Sequence, residues 1–231
     1  MAARVPVITI DGPGASGKGT VARLLAARLG WHLLDSGALY RAVALAALEG
    51  GLALDQPKAL ATLAAELPLR FEEGEGETHI WLGERCVDAE LRAETTGEAA
   101  SQVAAHPEVR AALLQLQRAF ARAPGLVADG RDMGTVVFGD ARYKFFLTAA
   151  PEERARRRHK QLKQKGISVS LPALAAEIAD RDRRDSERST APLKPAEDAF
   201  RIDSTRLSAE AVVAIVLAQL AESGLSVPAA D

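Results

Sequence analysis

The chain has 231 residues, 48% of them hydrophobic and 26% charged, with 29 Lys plus Arg against 31 Asp plus Glu and a formal net charge of -2. That length suits one large domain or a core with insertions, and the charge balance argues against a protein that coats nucleic acid or acidic membranes, so any anion binding must be local. A single cysteine, Cys86, no apolar stretch near the roughly 20 residues of a membrane span, and no signal-peptide layout together predict a soluble cytoplasmic protein without a disulfide framework.

Residues 5–10 read as a strand, with Pro6 near its start where a missing donor is tolerated. A helix over 18–29 is stopped by Gly30, residues 31–34 form a short strand, and a helix over 37–48 is closed by Gly50-Gly51. The pattern then changes. Residues 67–71 and 79–82 flank Gly74-Glu75-Gly76 as a hairpin, and Arg85-Cys86-Val87 can add a third strand. Residues 63–100 therefore read as an insert with its own small antiparallel sheet. Alternation resumes with a helix from Pro107 to about Arg122, whose apolar face carries Leu113, Leu116 and Phe120. Strands follow at 126–128, ending at Asp129, and at 143–147. Pro151 opens a very basic helix, 171–188 is helical, 200–202 is the last strand and 207–222 the last helix. Repeated strand–helix units predict an α/β fold, a parallel sheet with helices on both faces. The tail after Gly224 carries no motif and is expected to be disordered.

Gly12-Pro13-Gly14-Ala15-Ser16-Gly17-Lys18 has the spacing of a phosphate-binding loop between a strand and a helix. The glycines let successive backbone N–H groups converge on an anion, the helix presents its positive end, and Lys18 adds a point charge for outer phosphates. The bland alternative is a strand-to-helix turn that only needs glycine. Gly19 rather than Ser or Thr follows the lysine, and the first hydroxyl is Thr20, as in nucleoside monophosphate kinases. A GTP-binding switch would carry an Asn-Lys-x-Asp guanine motif, which the chain lacks.

Arginines mark where a second phosphate could bind. Asp35-Ser36-Gly37-Ala38-Leu39-Tyr40-Arg41 and Gly130-Arg131-Asp132-Met133-Gly134 both follow strand C-termini, where open α/β sheets bind ligands. Taken singly, each could be a cap plus a solvated arginine. Arg154, Arg156, Arg157, Arg158, Lys160, Lys163 and Lys165 read mostly as a solvated helix face. Arg181, Asp185 and Arg188 share a helix face, either paired with one another or facing a ligand.

These motifs resemble bacterial cytidylate kinases, members of the nucleoside monophosphate kinase family. The resemblance is carried by Ile10 through Thr20, Leu34 through Arg41, Asp129 through Val136, and Arg181 through Arg188 with Ala191-Pro192-Leu193, and it includes Ala100 to Ala104 and Val109-Arg110. It implies one kinase domain: a phosphate-loop core at 1–62 and 101–225, a monophosphate-binding insert at 63–100 and a helical lid at about 154–188. The implied reaction moves the ATP γ-phosphoryl group to CMP or dCMP. Gly12, Pro13, Gly14, Ala15, Ser16, Gly17, Lys18, Gly19 and Thr20 are then expected at ATP, with Mg²⁺ held mainly by ATP and water near Thr20 and no direct protein ligand. Ser36, Arg41, Ser101, Arg110, Arg131, Asp132, Arg181, Asp185 and Arg188 are expected around CMP. Lys18, Arg131 and Arg188 are the expected catalytic groups. No nucleic acid or membrane partner is expected, and a monomer is. Three rivals stay open: another small-molecule phosphate-loop kinase, a nucleotide switch without an acceptor, and a nucleic-acid module using the basic helix.

Overall fold

The apolar runs of the sequence become buried strands. The computed structural model describes residues 5–73, 78–164 and 166–225; the glycine-rich turn expected at 74–76, Lys165 and the tail beyond 225 lie outside them. In chain order come β1 (Val7–Asp11), α1 (Lys18–Leu29), β2 (His32–Asp35), α2 (Ser36–Glu49) and α3 (Pro57–Glu66). Then follow β3 (Leu69–Glu73), β4 (Thr78–Leu82), β5 (Arg85–Cys86), α4 (Asp88–Leu91), α5 (Glu94–Val103) and α6 (Pro107–Arg118). The last part holds β6 (Leu126–Gly130), a π-helical turn (Met133–Val137), β7 (Tyr143–Thr148), α7 (Pro151–Gln164), α8 (Leu171–Glu187), β8 (Phe200–Asp203) and α9 (Ala209–Glu222). Two compact units result, one of residues up to His32 and from Ala121 on, the other Leu33–Phe120.

In the first unit β6, β1, β7 and β8 run parallel, and β2, along which the chain leaves the unit, completes the order β2-β6-β1-β7-β8. Ile8, Ile10, Leu126, Val127 and Leu147 are fully buried, as strands covered on both faces require. Flanking helices bury single stripes: Val21, Ala22, Leu25, Ala26 and Leu29 on α1, Val212, Val216 and Leu220 on α9. The register pairs Asp11 with Gly130 on one side and Phe146 on the other, so the loops after β1, β6 and β7 gather at one end of the sheet. Gly12 is the first residue past β1. Its φ is 154°, and a Cβ there would fall 2.1 Å from the Leu147 carbonyl oxygen, so only glycine lets the loop leave the sheet here.

In the second unit β3, β4 and β5 form an antiparallel sheet, with Phe71 opposite Ile80 and Trp81 opposite Cys86. Ile80, Val87 and Leu91, flanked by Leu67, Leu69, Phe71 and Leu82, pack with Ala38, Ala42 and Leu45 of α2. Phe71 also meets Phe120 edge-on at 4.9 Å. Hydrophobic periodicity does not announce α3, α4 or α5. Only Leu60 and Ala64 are buried on the alanine-rich α3, and α5 buries the small residues Thr96, Gly97, Ala99, Ala100 and Ser101 with Val103. Small residues allow close helix approach but supply little apolar contrast. Among the described residues no helix is long and apolar enough to cross a membrane.

Candidate active site

The loop from Gly12 to Gly17 turns the chain from β1 into α1. Ala15 takes a left-handed backbone (φ 56°), and Gly17, at φ 93°, caps α1 with no side-chain hydrogen bond. The first turn of α1 holds no acidic residue. Its N–H groups and positive dipole end are therefore not countered by a side chain of that turn, the condition for an anion site. Lys18 Nζ is 3.7 Å from Asp129 Oδ1, and both side chains are largely buried.

Two arginines of α7 hold the loop from behind. Arg154 donates to the carbonyl oxygens of Gly14 at 3.1 Å and Ala149 at 3.2 Å and pairs with Asp182 of α8. Arg157 donates to the carbonyl oxygens of Ser16 at 3.2 Å and Ser204 at 2.6 Å, and Ser204 Oγ donates to the same Ser16 oxygen at 2.8 Å.

The residues after β6 form a second cluster. Arg131 Nε donates to Asp185 Oδ2 at 2.9 Å, and Arg188 Nη1 lies 4.0 Å from Asp185 Oδ1. Burial alone would raise the Asp185 pKa, but Arg131, Arg188 and Arg181 outweigh it and hold the carboxyl below its usual range. Arg188 also donates to the Ala191 carbonyl at 2.9 Å, and Leu193 N–H returns to the Asp185 carbonyl at 2.8 Å, which ties the turn after α8 to its last helical residues. Asp132 is buried, and its carbonyl accepts from Val136 and Val137 to open the π-helical turn. Asp11 accepts from the backbone N–H groups of Met133 and Gly134, each at 2.8 Å. Burial pushes Asp11 up to about 7, against these two hydrogen bonds and with help from the charges of Asp132 and Asp129.

The second unit holds the other expected contacts. Asp35 caps α2 at Ala38 N, and buried Ser36 donates from Oγ to Gln117 Oε1 at 2.7 Å. Arg41 donates to the Leu91 carbonyl at 2.7 Å, and its guanidinium lies over Gly97, where a Cβ would come within 2.9 Å of it. Arg110 is buried, donates to the Ala104 carbonyl at 3.2 Å and lies 5.4 Å from the centre of the Tyr40 ring. Ser101 Oγ is buried without a hydrogen-bond partner among the described residues. Thus Ser36, Arg41, Ser101 and Arg110 belong to one unit, and Arg131, Asp132, Arg181, Asp185 and Arg188 to the other with the loop.

A family model described as cytidylate kinase matches residues 8–222. A cytidylate kinase of Stutzerimonas stutzeri is 58% identical over 225 residues, covering 96% of this chain and 98% of that one. One of Pseudomonas paraeruginosa is 57% identical over 230 residues, covering 98% and 100%. The chain belongs to the cytidylate kinase family.

For a cytidylate kinase relative, the geometry adds residues that sequence spacing did not single out. Most of the basic run reads as a solvated helix face, but Arg154 and Arg157 carry the phosphate loop, while Arg156 keeps to the exposed face with Glu153. Their signal is the i, i+3 spacing, which puts both on one face of α7. Asp129 pairs with Lys18 from the C-terminal end of β6, and Ser204 buttresses the loop from beyond β8.

Breaking a buried ion pair by neutralising one member costs about 3–5 kcal/mol, so Asp185→Asn should be destabilised by about that much at pH 7. Because the folded-state pKa of Asp185 is lowered, its contribution is complete above the ordinary value of 3.8 and is lost as pH falls through the folded value. Urea midpoints of the wild type and Asp185→Asn should therefore differ at pH 7 and converge in acid. A gap that stays constant with pH removes the electrostatic role.

Proposed function

We propose that this protein is a soluble cytoplasmic kinase, active as a monomer, that transfers the γ-phosphoryl group of ATP to CMP or dCMP, giving ADP and CDP or dCDP. The observation that carries the reading is the phosphate loop braced by Arg154 and Arg157 in the unit that also holds the Arg131–Asp185–Arg188 cluster. One element suits a nucleoside triphosphate, and the other concentrates guanidinium charge as phosphoryl transfer demands.

An oxygen of the CMP phosphate is already a nucleophile. It forms a bond to the γ-phosphorus as the bond from that phosphorus to the bridging oxygen breaks, and ADP leaves with the electron pair. The protein need only align the two groups and stabilise the charge that spreads over the transferring oxygens. Backbone N–H groups of Gly12 to Thr20 bind the ATP phosphates, and Lys18 takes the outer ones. Arg131 and Arg188, held by Asp185, and Arg41 neutralise the CMP phosphate and the moving group. Asp185 and Arg181 reach the ribose hydroxyls, Ser36 and Ser101 add hydroxyl donors, and Arg110 and Asp132 read the cytosine edge.

The donor set beside the loop fits Mg²⁺: the buried Asp129 carboxylate next to Lys18 and the hydroxyl of Thr20 are hard oxygen groups, and Gly19 leaves the usual hydroxyl position vacant. Asp129 and Thr20 would hold it through water, and when bound it supplies charge neutralisation on the outer phosphates.

Lys18→Met should keep the fold and lose about 10²- to 10³-fold in kcat, the cost of removing one stabilising donor from such a site. Coupled measurement of ADP formation with CMP checks this, and turnover close to wild type would sink the assignment of the loop.

Cytosine offers an amine where uracil offers a carbonyl, so a carboxylate at Asp132 attracts one base and repels the other. A hydrogen bond to a charged group contributes roughly 1.5–3 kcal/mol, which corresponds to a loss on the order of 10- to 100-fold in kcat/KM for CMP in Asp132→Ala. UMP should lose much less, or gain. Equal losses for both substrates would instead assign the Asp132 side chain to ordering the loop after β6.

A further inference from the structure

Outside the residues given to phosphoryl transfer, the small sheet of the second unit brings together an imidazole, a thiol and a carboxylate. The β4–β5 register sets Cys86 opposite Trp81. His79, two residues before Trp81 along the strand, therefore shares a face with Cys86. Val87 N–H continues the pairing to the Ile80 carbonyl at 2.9 Å and delivers Asp88 to the first position of α4. Asp88 Oδ1 accepts from Ile80 N–H at 2.9 Å, and Oδ2 is 2.7 Å from His79 Nδ1.

This hydrogen bonding decides the chemistry of the imidazole. Nδ1 faces the carboxylate, so an ion seated between them takes the place of the proton that they share, the imidazole keeping its other proton on Nε2. Cys86 Sγ, a ring nitrogen of His79 and a carboxylate oxygen of Asp88 all lie within 4.8 Å of one another. In a tetrahedral zinc site, bonds of about 2.3 Å to sulfur and 2.0–2.1 Å to nitrogen set those two atoms about 3.6 Å apart. Side-chain rotation of exposed Cys86 and half-exposed His79 covers the difference, while Asp88 stays anchored to the Ile80 backbone.

We propose that His79, Cys86 and Asp88 bind one divalent transition-metal ion of the zinc class, with water completing the coordination. On binding, the Cys86 thiol proton leaves to solvent, and the resulting thiolate and the Asp88 carboxylate together balance the dication. Thiolate and imidazole select such ions over Mg²⁺ and Ca²⁺, which prefer all-oxygen sites, so this ion is chemically separate from the one that accompanies nucleotide. It ties β4, β5 and the start of α4 to one another. The site stands on its own residues, whatever the substrate of the kinase.

The test is a titration of the full-length, tag-free, reduced protein with Co²⁺. The wild type should develop a sulfur-to-cobalt charge-transfer band and tetrahedral d–d bands that saturate at one equivalent. Zn²⁺ should displace the cobalt and Mg²⁺ should not. Cys86→Ala should abolish the charge-transfer band, and His79→Gln should weaken binding by at least about tenfold, with far-ultraviolet circular dichroism showing both variants folded. Zn²⁺ should raise the Tm of the wild type and not that of Cys86→Ala. Absence of a thiolate–cobalt band in the wild type overturns the proposal, and so does wild-type affinity in His79→Gln, which would mean an isolated thiol rather than a site.

Discussion

Two guanidinium groups cannot stay buried close together unless an anion lies between them, and in this protein that anion is the carboxylate of Asp185, reached by Arg131 at 2.9 Å and Arg188 at 4.0 Å. Removing charge from water is expensive, and an ion pair offsets that cost only when its geometry is good and its hydrogen-bonding groups are used. Asp182, three residues earlier on α8 and on the same face, does the same for Arg154. Helix α8 is thus a carboxylate-bearing rod that fixes cations contributed by the loop after β6 and by α7. The arrangement reconciles a chain of net charge -2 with a site for highly charged nucleotides: positive charge is collected locally and held in place before any substrate arrives.

The same end of the sheet gathers acidic groups, because parallel strands deliver their C-terminal residues together. Asp11 ends β1, Asp129 lies one residue before the end of β6, and Asp132 follows. Their proximity helps to explain why Asp11, buried and near both, is pushed up to about 7. The native state then keeps this proton to a higher pH than the unfolded chain does, so the contribution of Asp11 to stability declines as pH rises from 3.8 toward 7. Its two backbone donors, Met133 and Gly134, give the carboxyl a positional role: it fixes the start of the turn that directly follows Arg131 and Asp132.

What could be read from the sequence follows from how local each signal is. A strand, a glycine at a position with no room for a Cβ and a helix are contiguous, so the phosphate loop was legible from residues 5 to 29, and Gly30 ends α1 in a left-handed conformation as expected. Two short strand-like runs either side of a glycine-rich stretch also marked the small sheet. Helices α3 and α5 were not legible, since alanine, serine and threonine against a neighbouring helix carry no apolar period. Arg154 and Arg157 were hidden in a run of basic residues, because the face of a charged helix that becomes buried is decided by what it docks on: here, the carbonyls of Gly14 and Ser16, some 140 positions away in sequence. The pairing of Asp185 with Arg131 spans 54 positions and was beyond local spacing for the same reason.

Carboxylates, backbone carbonyls and an aromatic face all serve to orient the arginines of the two units. In the first, carboxylates of Asp182 and Asp185 contact Arg154 and Arg131, so these guanidiniums are both oriented and largely balanced in charge. In the second, Arg41 is oriented by the carbonyl of Leu91, and Arg110 by the carbonyl of Ala104 and the face of Tyr40. A carbonyl or an aromatic face fixes the direction of a guanidinium without cancelling its charge. Any anion that approaches Arg131 or Arg188 must therefore share them with Asp185.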